Sequence, residues 1–203
     1  MATTTTNYGF DIPQSTDLVK DGATAIATLG QDIDTAMNTA LGTKKAGMVL
    51  LNTTSFTAVT SQSINDVFST TYDNYRIILR TTAIDAQIFF RLRVAGTDAS
   101  GANYARGQIL GASGGATFNY SSATAQTSAV FSGGAAVDHV MTTAEVISPF
   151  LAQQTLMTQD YWGDDEAMLL LGTRHSLATS YTGFTIFSTN NFTGTLSVYG
   201  YNK

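Results

Sequence analysis

In the segment "AQIFFRLRVAG" (residues 86–96), Ile88, Phe90, Leu92 and Val94 fall on one side of an extended chain, Phe89, Arg91 and Arg93 on the other. A side-chain period of two is the pattern of a half-buried β-strand, whereas a helix would scatter those four apolar residues around its axis. "DNYRIILRTT" repeats the pattern with Tyr75, Ile77 and Leu79 on one face, and "GFTIFST" and "FTGTLSVYGY" continue it late in the chain. "EAMLLLG" is more continuously apolar, as a fully buried strand is. Turn-forming clusters separate these runs: "GTDASGAN" (96–103), "GASGGATFNYSSAT" (111–124), "SGGAA" (132–136), "YWGDDE" (161–166) and "STNNFTG" (188–194). Short strands punctuated in this way predict an antiparallel, jelly-roll-like β-sandwich over residues 47–203. A folded part of about 160 residues buries roughly two thirds of its surface, enough for a core without covalent staples. The chain has no cysteine, so disulfides, zinc–thiolate sites and cysteine nucleophiles are excluded.

Ahead of this β region, "STDLVKDGATAIATLGQDIDTAMNTALG" (residues 15–42) reads as a helix. Ser15 or Thr16 caps it, Asp17 favours its first turn, and Gly42 suits the left-handed position that ends it. Val19, Gly22, Ile26, Leu29, Ile33, Ala36 and Ala40 step by three and four, a heptad seam of about three repeats. Gly22 and Gly30 each cost roughly 1 kcal/mol in a helix interior, so an isolated helix of this quality is marginal. Two placements satisfy the seam: an amphipathic helix lying on the β domain, or a short coiled coil between identical chains. Seam composition leaves two strands or three open.

The first fourteen residues form a third zone. "TTTT" is flexible polar sequence, and in "NYGFDIP" the side chains of Tyr8, Phe10 and Ile12 share one side of an extended arm. Pro13 disfavours helix at Ile12. Such an arm is either pinned to its own domain or inserted into a partner.

Charged residues make up 12% of the chain, the net charge is −5, and Lys and Arg together number ten. That leaves no large basic surface, so nucleic acid is not an expected partner. No apolar run approaches the roughly 20 residues that span a bilayer, and "MATTTTNYGF" has neither the basic nor the apolar region of a Sec signal peptide.

Candidate chemistry is sparse. "GASGG" (111–115) matches G-x-S-x-G with Ser113 as nucleophile, and Asp138, Asp160 or Asp164 followed by His175 gives a hydrolase triad order. The strand before and helix after that the motif needs are missing, so a loop of small residues is the simpler reading. "DYWGDDEA" (160–167) gathers four acidic residues and the only tryptophan. Paired carboxylates serve a glycosidase or bind calcium, but this spacing is no EF-hand, and a solvated turn explains it as well. Tyr161 and Trp162 are candidates to stack on a sugar ring while Asp164 and Asp165 accept its hydroxyls, against the alternative of a structural tryptophan. His139 and His175 stand alone and are expected to pack rather than bind metal. Asn52, Asn119 and Asn191 match N-x-[ST], which a Thr- and Ser-rich chain does by chance.

"NYGFDIPQSTDLVKDGATAIATLGQDIDTAM" resembles the N-terminal attachment region of virion structural proteins of tailed bacteriophages. "DNYRIILR", "FRLRVAGTDASGANYARGQ" and the closing "GTLSVYGYNK" resemble the β domain that often follows it. The resemblance implies an arm that docks on other virion proteins, a helix that oligomerises, usually as a trimer, and a projecting β head. It implies a tail-fibre, receptor-binding or adhesion role, or decoration of the capsid, with location in the virion, contact with a host-surface glycan as one option, and no catalytic residues; no cofactor or metal is expected from the residues. A glycan-degrading hydrolase and a secreted lectin are the expectations from other classes.

Overall fold

The computed structural model describes residues 3–6, 8–12, 18–42, 47–84, 86–111, 118–133, 139–163 and 168–203. The chain divides into two compact units, Met1–Ala46 and Gly47–Lys203.

In the first unit, β1 (Thr3–Thr4) and β2 (Asp11–Ile12) pair antiparallel and precede α1 (Val19–Gly42). The expected extended arm is therefore a small hairpin. Gly9 takes φ +67°, a left-handed conformation that glycine adopts freely. The Gly9 N–H donates to the Thr5 carbonyl at 3.0 Å, the Phe10 N–H donates to Thr5 Oγ1 at 2.9 Å, and Tyr8 stacks on Phe10 with ring centres 5.6 Å apart. The candidate caps Ser15 and Thr16, with Asp17, lie outside the described residues. Val19 and Ala40 lie in the first and last turns of α1.

The second unit is mainly β and antiparallel. Its strands are β3 (Met48–Ile64), β4 (Asn74–Ile84), β5 (Ile88–Val94), β6 (Thr97–Asp98), β7 (Tyr104–Gly111), β8 (Phe118–Gln126), β9 (Ala129–Ser132), β10 (Val140–Ile147), β11 (Thr155–Gly163), β12 (Met168–His175) and β13 (Gly183–Tyr201). They form one curled sheet in the order β6-β5-β13-β4-β10-β11-β12-β7-β8, with β3 also paired to β13 and β9 to β5.

The curl has a local cause. β13 pairs with β5 through Gly183–Ser188 and with β4 through Phe192–Gly200, while β3 follows it on the other side. Between Phe192 and Gly194 the register slips against β3, and between Thr193 and Gly194 it slips against β4. Ala58, on the bulged stretch of β3, sits at φ +50°, and its N–H donates to Thr193 Oγ1 at 2.9 Å. Bulges on both flanking strands at one level bend the sheet there. Gly194 permits it, since a Cβ on that residue would lie 2.4 Å from the Arg80 carbonyl oxygen.

The core fills the inside of the curl. Phe131, Phe90, Phe184, Phe68 and Tyr75 follow one another ring on ring, at centre separations of 4.6–5.7 Å. Across this core, Gln159 Nε2 on β11 donates to the Val130 carbonyl on β9 at 3.0 Å, tying distant strands of the same sheet together. Ile88, Phe90 and Leu92 are buried as the alternation requires, and so are Tyr75, Ile77 and Leu79. Three hydroxyl pairs bridge β3 and β13: Thr53 with Ser197, Ser55 with Thr195, and Ser63 with Thr185.

Three expected turns differ. "STNNFTG" is an irregular stretch inside the continuous β13, because β3 and β4 keep pairing on either side of it. Phe118–Gln126 forms β8, a polar strand whose side chains are largely exposed on both faces and which therefore shows no apolar alternation. Residues 161–163 belong to β11 rather than to a loop.

Candidate functional site

Antiparallel register decides which side chains meet on the outer face of the sheet, the face turned away from the core. Arg76, Glu145, Thr158, Gly172 and Gly107 form one row across β4, β10, β11, β12 and β7. The next row is Ile78, Thr143, Asp160, Leu170, Ile109 and, on β8, Tyr120. Apart from Ile78, the residues of both rows line an open hollow of about 650 Å³. Its floor is bare where Gly107 and Gly172 face each other across β7 and β12. A Cβ on Gly172 would meet no atom within 4 Å, and one on Gly107 would come only within 3.9 Å of the Tyr120 hydroxyl.

The polar side of the hollow is already organised. The Thr143 hydroxyl donates to Asp160. Arg76 pairs with Glu145 at 3.3 Å, and the Tyr201 hydroxyl donates to the second Glu145 oxygen at 2.7 Å. Burial and the neighbouring Glu145 carboxylate both push the Tyr201 phenol up, so it remains a donor at neutral pH. The opposite side is apolar and open: Ile109, Leu170 and above all Tyr120, which is 74% exposed.

A second hollow of about 290 Å³ lies on the same face, lined by Arg80, His139, Met141 and Trp162. Trp162 is 55% exposed there, between its cross-strand neighbours Met141 and Met168. Its sequence neighbour Tyr161 is 2% exposed and points into the core, where its ring occupies the space that a side chain at Gly133 would need. Strand alternation thus separates the two aromatics that the sequence placed together. Asp164 and Asp165, expected to complete that loop, lie outside the described residues, as do Ser113 and Asp138. Asp160 is on the outer face and His175 is buried on the inner one, so these two do not form part of one catalytic array.

His175 packs edge-on between Tyr104 and Tyr181, with ring centres 4.4 and 5.2 Å away. Burial holds its imidazole below the ordinary 6.5, outweighing a hydrogen bond with the Leu177 backbone. Among the described residues, no three His, Asp or Glu side chains cluster as metal ligands would.

The glycine floor, Tyr120 and the Arg76–Glu145 pair escaped sequence reasoning because they come from strands far apart in the chain. The one local signal was "LLLGTRH" (169–175), a glycine inside an apolar strand, which marks a close approach or an open site.

No family model matches the chain, and no curated protein does. Among solved structures it is similar to an exo-inulinase from Aspergillus awamori, at a TM-score of 0.34 and 11% identity, over 79% of this chain and 30% of that one. A galectin from Caenorhabditis elegans gives 0.32 and 9%, over 75% and 95% of the two chains. A xylan β-1,4-xylosidase from Bacillus halodurans gives 0.23 and 6%, over 64% and 28%. The chain thus spans less than a third of either hydrolase, and similarity this low assigns neither fold nor activity.

Proposed function

We propose that this chain is a non-enzymatic structural protein of a virion, a homotrimer with an adhesion role, joined along α1 and projecting its β unit as a jelly-roll-like sandwich towards the host surface. The observation that carries this proposal is the state of the heptad seam. Ile26 is 67% exposed and Ile33 40%, with Met37 open beside them, on a 24-residue helix. Each large apolar side chain removed from water contributes roughly 1.5–3 kcal/mol, and a second and third copy of the same seam supply the cover. The exposed Tyr8 and Ile12, with the partly covered Phe10, give the N-terminal hairpin an apolar surface with which to dock on other virion proteins. A non-catalytic role draws support from the separation of Asp160 and His175 by the sheet, and from the engagement of Glu145 by Arg76 and Tyr201.

Light scattering on the purified chain should give about three times the chain mass. Ile26→Asp with Ile33→Asp should abolish that assembly, because each substitution places a charge in a desolvated seam. A stable monomer at micromolar concentration overturns the proposal. Imaging of intact particles separates a tail position from capsid decoration, and deleting residues 1–14 should leave a folded head that no longer joins the particle.

A further inference from the structure

We infer that the hollow over Gly107 and Gly172 is a binding groove for a neutral oligosaccharide, with one pyranose ring lying on the glycine floor against Tyr120. This deepens the adhesion proposal by naming its ligand class, and it places recognition over the glycine floor rather than at Tyr161, Trp162, Asp164 and Asp165.

The glycines are the first reason. Glycine inside a strand weakens it and usually marks a bulge or a close approach of another backbone. Neither applies at Gly172: its pairing with β7 and β11 is regular, and added bulk would meet open space. With Gly107 opposite, the pair leaves a patch of sheet without side chains in the middle of an otherwise covered face. Open backbone flanked by taller residues makes a depression into which a pyranose ring fits.

The walls are the second reason. A pyranose has an apolar face of C–H groups and a rim of hydroxyls. Tyr120, Ile109 and Leu170 offer apolar surface for the first. Asp160, Thr143 and Thr158 offer acceptors and a donor for the second. Asp160 is held by Thr143, and Glu145 by Arg76 and Tyr201, so these groups need little ordering when a ligand arrives. A volume of about 650 Å³ exceeds one sugar ring and lies within the ordinary range of ligand sites.

Charge narrows the class. Arg76 is neutralised by Glu145, which leaves Asp160 uncompensated among the lining residues. A phosphorylated, sulfated or sialylated ligand would be repelled; a neutral one would not.

The test uses the full chain and a panel of neutral saccharides (lactose, maltotriose, cellotriose and triacetylchitotriose) at millimolar concentration, read by saturation-transfer NMR. At least one should bind. Gly172→Val covers the floor at a position where an added Cβ meets no atom within 4 Å, and Tyr120→Ala removes the platform. Each should weaken binding by about tenfold or more while the melting temperature stays unchanged. Binding by none of the panel overturns the inference, as does binding that survives both substitutions. If no sugar binds and Gly172→Val instead lowers the assembled mass in light scattering, the face is an interface between copies and the inference fails. Particle incorporation is scored separately. A chain that binds sugar through this groove but is absent from particles keeps the groove and loses the virion proposal.

Discussion

The two faces of β11 carry nearly equivalent side chains and meet opposite fates. Thr155, Met157, Gln159 and Tyr161 point inward and are buried; Leu156, Thr158, Asp160 and Trp162 point outward and are exposed. Each set contains two polar residues, one flexible apolar residue and one aromatic. Apart from the Asp160 carboxylate, which favours water, hydropathy within the strand does not choose the buried face. Its neighbours do. Leu79, Thr142 and Tyr161 stand in register across β4, β10 and β11, and so do Ile77, Ala144 and Gln159. On β4 the choice is decisive, because its outer face bears Arg76 and Arg80 while its inner face bears Tyr75, Ile77 and Leu79. A one-residue slip would turn every side chain over, so β4 imposes its orientation on β11 through the hydrogen-bonded ladder. A buried glutamine and an exposed tryptophan are the consequence.

Substitutions on either face test how unequal they are. The largest effect is expected at Tyr161→Ala, which empties the space over Gly133 and should destabilise the β unit by about 3–5 kcal/mol in urea unfolding. A loss under about 1 kcal/mol would mean that the core collapses around the gap and the inner face is less tightly packed than its burial suggests.

Gln159→Ala should follow, at about 1–3 kcal/mol, because it leaves the Val130 carbonyl and the Thr173 hydroxyl buried without their partner. If Gln159→Ala proves neutral, the bridge between β11 and β9 contributes nothing to the curl.

The third effect depends on pH. The unfolded chain protonates His175 near 6.5, whereas the folded chain resists protonation until lower pH. The unfolded state therefore binds more protons in that window. Stability should fall as pH drops below about 6.5 and reach its full loss below the folded-state pKa. His175→Gln should flatten this part of the profile relative to the wild type. Parallel profiles for the two proteins would assign the pH dependence to other groups.

Trp162→Ala should do least, shifting stability by within about 0.5 kcal/mol. On the adhesion proposal, host-cell adsorption is then a second readout, because the β unit stays folded. Unfolding of this variant would break the comparison, since an outer-face residue would then be contributing to the core.

Several of these features were legible in the sequence, and the reason is local. Residues 73–82 and 86–96 declared their strands because apolar residues recur at every second position, and the helix from Val19 onward declared itself by its seam. β8 did not, because a strand with both faces exposed has no alternation to show. The interior of β13 reads as a turn from Ser188 to Gly194, yet pairing with β3 and β4 carries the strand through it. Tyr161 and Trp162 looked like one platform because adjacency in sequence was read as adjacency in space, and a strand places neighbours on opposite faces.

Period-two and period-3.5 patterns, which are properties of single segments, by themselves determined that this chain is mainly β with a separate helix ahead of it. Pairing decided the rest. Arg76, Gly107, Tyr120, Glu145, Asp160 and Gly172 come from six strands. No segment contains more than one of them, so no window of sequence displays the groove. They share a face only because antiparallel register sets which residues oppose one another, and that register is fixed by burial across the whole sheet rather than by any strand's own composition.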